Sequence, residues 1–405
     1  PQETALWFIN GGFYQVGGHR HYDDGQVSIY ADSAPLAIDF NANLYSPETP
    51  GRFMHNSIVY DSELPHLWSA DDAGLSDVTT LLRNPTNTEF ASFGASTHAS
   101  ATFTSGDGTV WTRTVRTMNF DPVYPVIYVT DRFAGPSAGA GKTLTWNMMA
   151  TGAVATPSGQ VTPVTRFSTG CQSTAGALPS NGNVFGLTGG LEQFTFTGIA
   201  WPKHAAGGIN WDLFTLQNDA TGQFFIGNWG HGCQSSRESG EFQKANGVSF
   251  SETQHILRVH DNGPLTTILM PWPKTAKPTR TVTAQACGTQ IVQTTGSGTE
   301  TTCFNDSAAQ YTNGTTSSIL SVYDGSTQSA FGVTAKGGPQ EIAIGAGQIV
   351  WTASGVATGT RTVTLPAGWS TGDPQVTQNG STFTVQYPGG LQTAPVEVMF
   401  KSTSK

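Results

Sequence analysis

Charge is scarce in this chain of 405 residues: Asp, Glu, Lys and Arg together make up 12%, about half the usual share of a globular protein. Nineteen Lys and Arg stand against 28 Asp and Glu, for a net charge of -9. No basic run occurs, so the electrostatic footprint of a nucleic-acid binder is missing. Long apolar runs are lacking as well. Stretches such as Val126–Val129 and Leu265–Met270 fall far short of the ~20 residues of a membrane helix, and no membrane partner is expected. Gly-x-Ser-x-Gly occurs at Gly135–Gly139 and Gly368–Gly372, but no helical pattern follows either, so the strand-turn-helix nucleophile elbow of a Ser/His/Asp hydrolase is not expected. No repeat of fixed period points to a solenoid or propeller. A helical stripe is missing too, apart from a short candidate near Ala70–Leu82 that contains Gly74. The first residue is Pro1 and no charged-then-apolar leader follows, so a processed or excised product is expected.

Cysteine is sparse but even in number. Cys171, Cys233, Cys287 and Cys303 show no CxxC spacing, which argues against a zinc-thiolate site and for disulfides. Cys287 with Cys303, across a Gly/Thr-rich turn, is the expected pair, leaving Cys171 with Cys233. Disulfides in a Lys-poor, Thr/Ser-rich chain point to an oxidising compartment, secreted or periplasmic.

Glycine, by contrast, is abundant at 48 residues, and ten Trp and 22 Phe supply enough apolar area for a sizeable core. Apolar and polar residues alternate with period two, as in Gln193-Phe194-Thr195-Phe196 and Ser381–Tyr387, with turn punctuation at Asp261-Asn-Gly263, Asp324-Gly325 and Gln378-Asn-Gly380. The pattern predicts an all-β chain of antiparallel strands. Three prolines in Pro271–Arg280 mark a junction. All nine His and seven of the ten Trp precede it and no His follows it. The expected architecture is a large sandwich over 1–270 and a smaller one over 271–405, with any imidazole chemistry in the first. The run Gly135–Thr143 ends like a phosphate-cradling loop, but it has one residue too many between its outer glycines and a strand rather than a helix after it, so it reads as a hairpin loop.

The informative segment is Gly18-His-Arg-His-Tyr-Asp23 with Gly25, followed by Leu36-Ala-Ile-Asp39 and His55-Asn-Ser-Ile-Val-Tyr-Asp61. In an extended strand His19 and His21 share a face and Arg20 takes the other. Asp39 could join such a His at a metal, since zinc accepts mixed nitrogen and oxygen ligands. A third His would be needed.

These segments resemble the β-sandwich part of the heparinase II/III-like polysaccharide lyases. Ala95-Ser-Thr-His98, Arg113-Thr-Val-Arg116 and Asp121–Asp131 extend the likeness to about the first 135 residues. The resemblance implies a super-sandwich fold, β-eliminative cleavage of a uronic-acid polysaccharide, and a structural zinc. It implies that His19 is a catalytic-site residue and that His21 and Asp39 ligate the zinc with His98, His66 being the competitor for the third position. Arg20, Tyr22 and His55 would meet substrate, although His55 and Asn56 read equally well as loop-locking residues. The family also places an α/α toroid before the sandwich, and nothing in this chain looks like it. An upstream segment or a partner chain would have to supply the toroid. Elimination needs charge neutralisation at the carboxylate, a base, and an acid for the leaving oxygen. Tyr22, Tyr45 and Tyr60 are the phenols near the motifs, and Arg20, Arg52 and Arg113 are the cations that could form a local patch for a polyanion. The alternative function is a non-catalytic secreted carbohydrate-binding or structural protein that keeps the sandwich without the chemistry.

Overall fold

The computed structural model describes residues 4–9, 25–31, 34–37, 56–60, 87–118, 124–156, 161–164, 182–186, 190–198, 208–217, 223–230, 253–295, 298–314, 316–390 and 393–402. Every regular element among them is a β-strand and every strand pairing is antiparallel. The all-β expectation holds.

A sixteen-stranded sheet folds over on itself to make two layers. The fold runs along the 15-residue strand Lys142–Thr156. Its first half pairs with Thr253–Asp261 in the first layer, and its second half pairs with Gly190–Gly198 in the second. Gln223–Gly230, Gly182–Gly186 and Val161–Val164 continue the first layer outward, while Ile58–Tyr60 and Ala34–Ala37 pair with the other edge of Lys142–Thr156 and Gln26–Ala31 pairs with Ala34–Ala37. The second layer continues through Ile209–Gln217, Leu265–Pro273, Val126–Ala134, Val110–Met118, Ser96–Thr104 and Asn87–Ser92. Residues 271–402 add a third layer of nine strands and a fourth of five.

Three apolar cores separate the four layers. The first joins Val27, Ile29 and Trp146 to Phe103, Trp111 and Trp211. The second joins Met118, Val126, Tyr128, Ile268 and Met270 of the second layer to Val282, Ile291, Phe304 and Tyr311 of the third. The last fills the terminal sandwich around Trp351, Phe383 and Phe400. The second layer is thus buried on both faces. Ile127 and Leu269 face the first core while Tyr128, Ile268 and Met270 face the second. That double burial explains the short apolar runs at 126–129 and 265–270, because a strand covered on both sides has no polar face to alternate with.

Cys287 and Cys303 form a disulfide with Cα atoms 6.1 Å apart, as the sequence led us to expect. Cys171, Cys233 and the helical candidate at 70–82 lie outside the described residues. The run at 135–143 departs from the hairpin reading. The strands it joins do not pair with each other: Val126–Ala134 pairs within the second layer, and Lys142 opens the strand that crosses to the first. The Lys142 side chain is buried, with its Nζ donating to the carbonyls of Ala138, Ala140 and Asn262. It also lies 4.6 Å from the Phe133 ring centroid. That lysine closes its own loop and is turned away from any phosphate.

Candidate functional site

The described residues that bear on the motifs converge on one buried guanidinium. Arg113 sits in the middle of strand Val110–Met118 with no exposed surface. Its neighbour across the ladder is Asp131. Arg113 Nε donates to Asp131 Oδ1 at 2.8 Å and Nη2 donates to Oδ2 at 3.0 Å, the bidentate geometry that suits a guanidinium and a carboxylate. Trp111 Nε1 donates to the same Oδ1 at 2.8 Å. Arg113 Nη1 reaches the opposite layer, where it donates to Gly25 O at 2.7 Å and to Asn56 O at 2.6 Å.

Gly25 ends the His19–Gly25 segment and Asn56 follows His55. One guanidinium nitrogen therefore pins the chain at the end of the first motif and inside the second. Asn56 adds a second tie, donating from Nδ2 to Val27 O at 2.9 Å, and it is fully buried. Of the two readings of Asn56, the loop-locking one describes it. Gly25 is needed at its position. Its φ is +73°, and a Cβ there would meet Trp111 Cη2 at 2.5 Å, too close for any side chain, in a conformation where L-residues are strained anyway. Trp111 in turn is stacked on Phe103 with centroids 4.6 Å apart, and the Arg113 guanidinium carbon lies 5.2 Å from the Trp111 ring centroid. A fully buried ion pair is costly to desolvate unless its remaining hydrogen-bonding groups are satisfied. The two carbonyls and the indole meet that condition.

His19, Arg20, His21, Tyr22, Asp39, His55 and His66 lie outside the described residues. His98 lies within them and sits elsewhere, on the opposite side of the second layer at its junction with the third. It is 4% exposed and stacks on Tyr323 at 4.7 Å, and its Nδ1 accepts from Arg116 Nε at 3.3 Å. Burial, and secondarily the Arg116 charge, hold its pKa well below the ordinary imidazole range. Arg116 also donates to the carbonyls of Asn305 and Asp306 in the third layer. A ring placed between a phenol and a guanidinium is a poor zinc ligand, because the neighbouring cation opposes a second one. Among the described residues no group of three or more His, Cys, Asp or Glu is gathered as a metal centre requires.

One further expectation needs correcting. Arg113 cannot belong to a surface patch for a polyanion, since it is wholly buried against Asp131. Tyr60 is a packed strand residue, the favoured reading for a single Tyr near the motifs. It is 4% exposed, with Phe133 edge-on at 5.9 Å. Sequence reasoning placed Arg113 and Asp131 in matching segments without seeing their partnership, and it passed over Trp111. The signal available was the pairing of one Arg and one Asp on neighbouring strands, both on faces otherwise apolar.

Neither a protein-family model nor a curated protein matches the chain. Among solved structures it is similar to the heparan sulfate lyase HepC from Pedobacter heparinus, with 10% identity and a TM-score of 0.38 over 68% of this chain and 35% of that one. It is also similar to a heparinase III, with 11% identity and a TM-score of 0.37 over 79% of this chain and 38% of that one. The relation is distant and structural only. The chain spans little more than a third of the length of those proteins.

Proposed function

We propose that the chain is the sandwich portion of a polysaccharide lyase that cleaves a uronic-acid polymer by β-elimination. The reading is carried by the Arg113 Nη1 atom, whose two hydrogen bonds hold Gly25 and Asn56 side by side. Gly25 and Asn56 are the described residues next in sequence to the segments bearing His19 and His55. In the elimination, a base takes the proton from C5 of the uronate and the bond from C4 to oxygen breaks. The C4–C5 double bond forms and the departing oxygen takes a proton. His19 is assigned to that proton traffic, Arg20 to the substrate carboxylate, and Tyr22 and His55 to sugar contacts. The α/α toroid of an upstream segment or a partner supplies the remaining groups. The Cys287–Cys303 disulfide supports an extracytoplasmic location. If a zinc ion is bound, His21, Asp39 and His66 are its ligands in preference to His98, whose guanidinium neighbour disfavours it, and no step of the elimination passes through the metal.

The test is ultraviolet absorbance of the unsaturated uronide, followed for the purified chain with and without its upstream segment on a panel of uronic-acid polysaccharides. One polymer should give a rise that His19→Ala removes while binding persists. Absence of any rise with the full native protein would overturn the assignment and leave a glycan-binding sandwich.

A further inference from the structure

The outward face of the fourth layer is a second surface with chemistry of its own. Its five strands, Thr327–Ala330, Val333–Lys336, Gly359–Thr364, Thr382–Tyr387 and Thr377–Asn379, turn Val333, Ala335, Val363, Phe383 and Val385 inward. The outward positions fall into register across the sheet. One row runs Ser329, Thr334, Thr364, Thr382 and Asn379, and the next runs Thr327, Lys336, Thr362, Thr384 and Thr377. Thr360 and Gln386 begin a third. Directly opposed residues on neighbouring strands point to the same side, so the face is a lattice of hydroxyls with strands about 4.8 Å apart.

Its side chains are tied to one another. Ser329 and Thr334 hydroxyls lie 2.8 Å apart, Thr364 and Thr382 hydroxyls 2.9 Å apart, and Gln386 Nε2 donates to Thr360 Oγ1 at 2.9 Å. Strand propensity accounts for threonine here. Lys336 is the only charge in the three rows, in a chain that is itself 12% charged, so the face presents hydroxyls and amides with almost no net charge.

At the end of the first row, the turn between Ala330 and Val333 displays Phe331. The residue is 41% exposed, one of few large apolar residues so exposed among the described residues. The residue also holds φ = +52°, a turn position where Asn, Asp or Gly is the usual choice. An exposed aromatic beside an uncharged hydroxyl lattice matches one class of partner in both respects. The ring offers an apolar platform for the C–H face of a sugar. The threonines offer paired donors and acceptors for its hydroxyl groups without repelling or attracting charge. We propose that the fourth layer binds an uncharged glycan, with Phe331 stacking on a sugar ring at the rim and the threonine rows underlying the chain. The site is separate from the region of Arg113 and does not depend on the lyase reading.

The experiment uses the full chain in affinity electrophoresis through soluble uncharged glucans and xylans, and in pull-down on insoluble cellulose and chitin. Two variants accompany it. Phe331→Gly relieves the left-handed turn, so its melting temperature should stay level or rise while retention falls at least tenfold. Thr362→Glu/Thr364→Glu places two charges on outward-facing, half-buried strand positions and should also lose retention. The proposal is overturned if no uncharged glycan retains the wild-type chain, or if both variants are retained as well as wild type. It is equally overturned if retention occurs only on polyuronates. Uronide release is assayed in parallel, and it should be the same in wild type and Phe331→Gly, so failure here and failure of the lyase reading are told apart.

Discussion

Arg113 shows how much can depend on one side chain. Four of its five N–H groups are matched by Asp131 and by the carbonyls of Gly25 and Asn56, so truncation strands a buried carboxylate together with two carbonyls. Arg113→Met should therefore destabilise the protein by about 3–5 kcal/mol, measured by denaturant unfolding. The double variant Arg113→Met/Asp131→Leu should recover a large part of that loss, because the orphaned charge is gone. If the lyase reading holds, the single variant also loses turnover in conditions where it is still folded, since the segments of His19 and His55 lose their common anchor. The sequence shows Arg113 and Asp131 plainly as letters. Which strand face each would occupy was hidden, because the pairing depends on a register between strands 18 residues apart.

At the scale of elements, the joint between the second and third layers carries two titratable groups whose shifts oppose each other. Glu341 is buried, and burial raises its pKa, although Ser96 Oγ, Ala95 N and Ser321 Oγ all donate to it. His98, on the same joint, is lowered by burial and by Arg116. For Glu341 the folded state holds the proton more tightly than the unfolded chain. Its contribution is present below the ordinary carboxyl range and is lost as pH rises through the folded value. For His98 the folded state releases the proton more readily, so its contribution is present above the ordinary imidazole range and is lost as pH falls. Between those two ranges the slopes offset. Glu341→Gln should leave stability that rises with pH across this window, and His98→Gln should leave stability that falls, both read from melting temperature against pH. Period-two alternation made the strands legible here. The polar residues inside the joint were not, since Ser96, His98, Ser321 and Glu341 are ordinary surface residues until a neighbouring sheet covers them.

At the scale of the whole molecule, residues 271–402 are joined to the rest by more than a linker. Met118, Tyr128, Ile268 and Met270 bury against Val282, Ile291, Phe304 and Tyr311, and Tyr128 stacks on Phe304 at 4.7 Å. Arg280 donates to the carbonyls of Met270 and Pro271, and Glu89 accepts from Val356 N and Ala357 N at the far edge. A chain of residues 1–270 alone would expose an apolar sheet face, the kind of patch that drives association. It should therefore aggregate or self-associate in size-exclusion chromatography, whereas the intact chain should unfold in one calorimetric transition across this joint. Two separable transitions would show the proline-rich junction to be a true domain boundary.

Alternation, turn residues and cysteine spacing belong to local stretches of chain, and they were sufficient to determine an all-β fold, antiparallel strands and the Cys287–Cys303 bridge. His19, His21, Asp39 and His55 were singled out by the motif segments and the resemblance these carry, and they lie outside the described residues. Layer order, the double burial of the second sheet, the Arg113 anchor and the hydroxyl lattice of the fourth layer were decided only in three dimensions. Each of them arises from contacts between residues far apart in sequence, where burial by a neighbouring sheet sets the free energy of a charge or hydroxyl and local pattern carries no record of that neighbour.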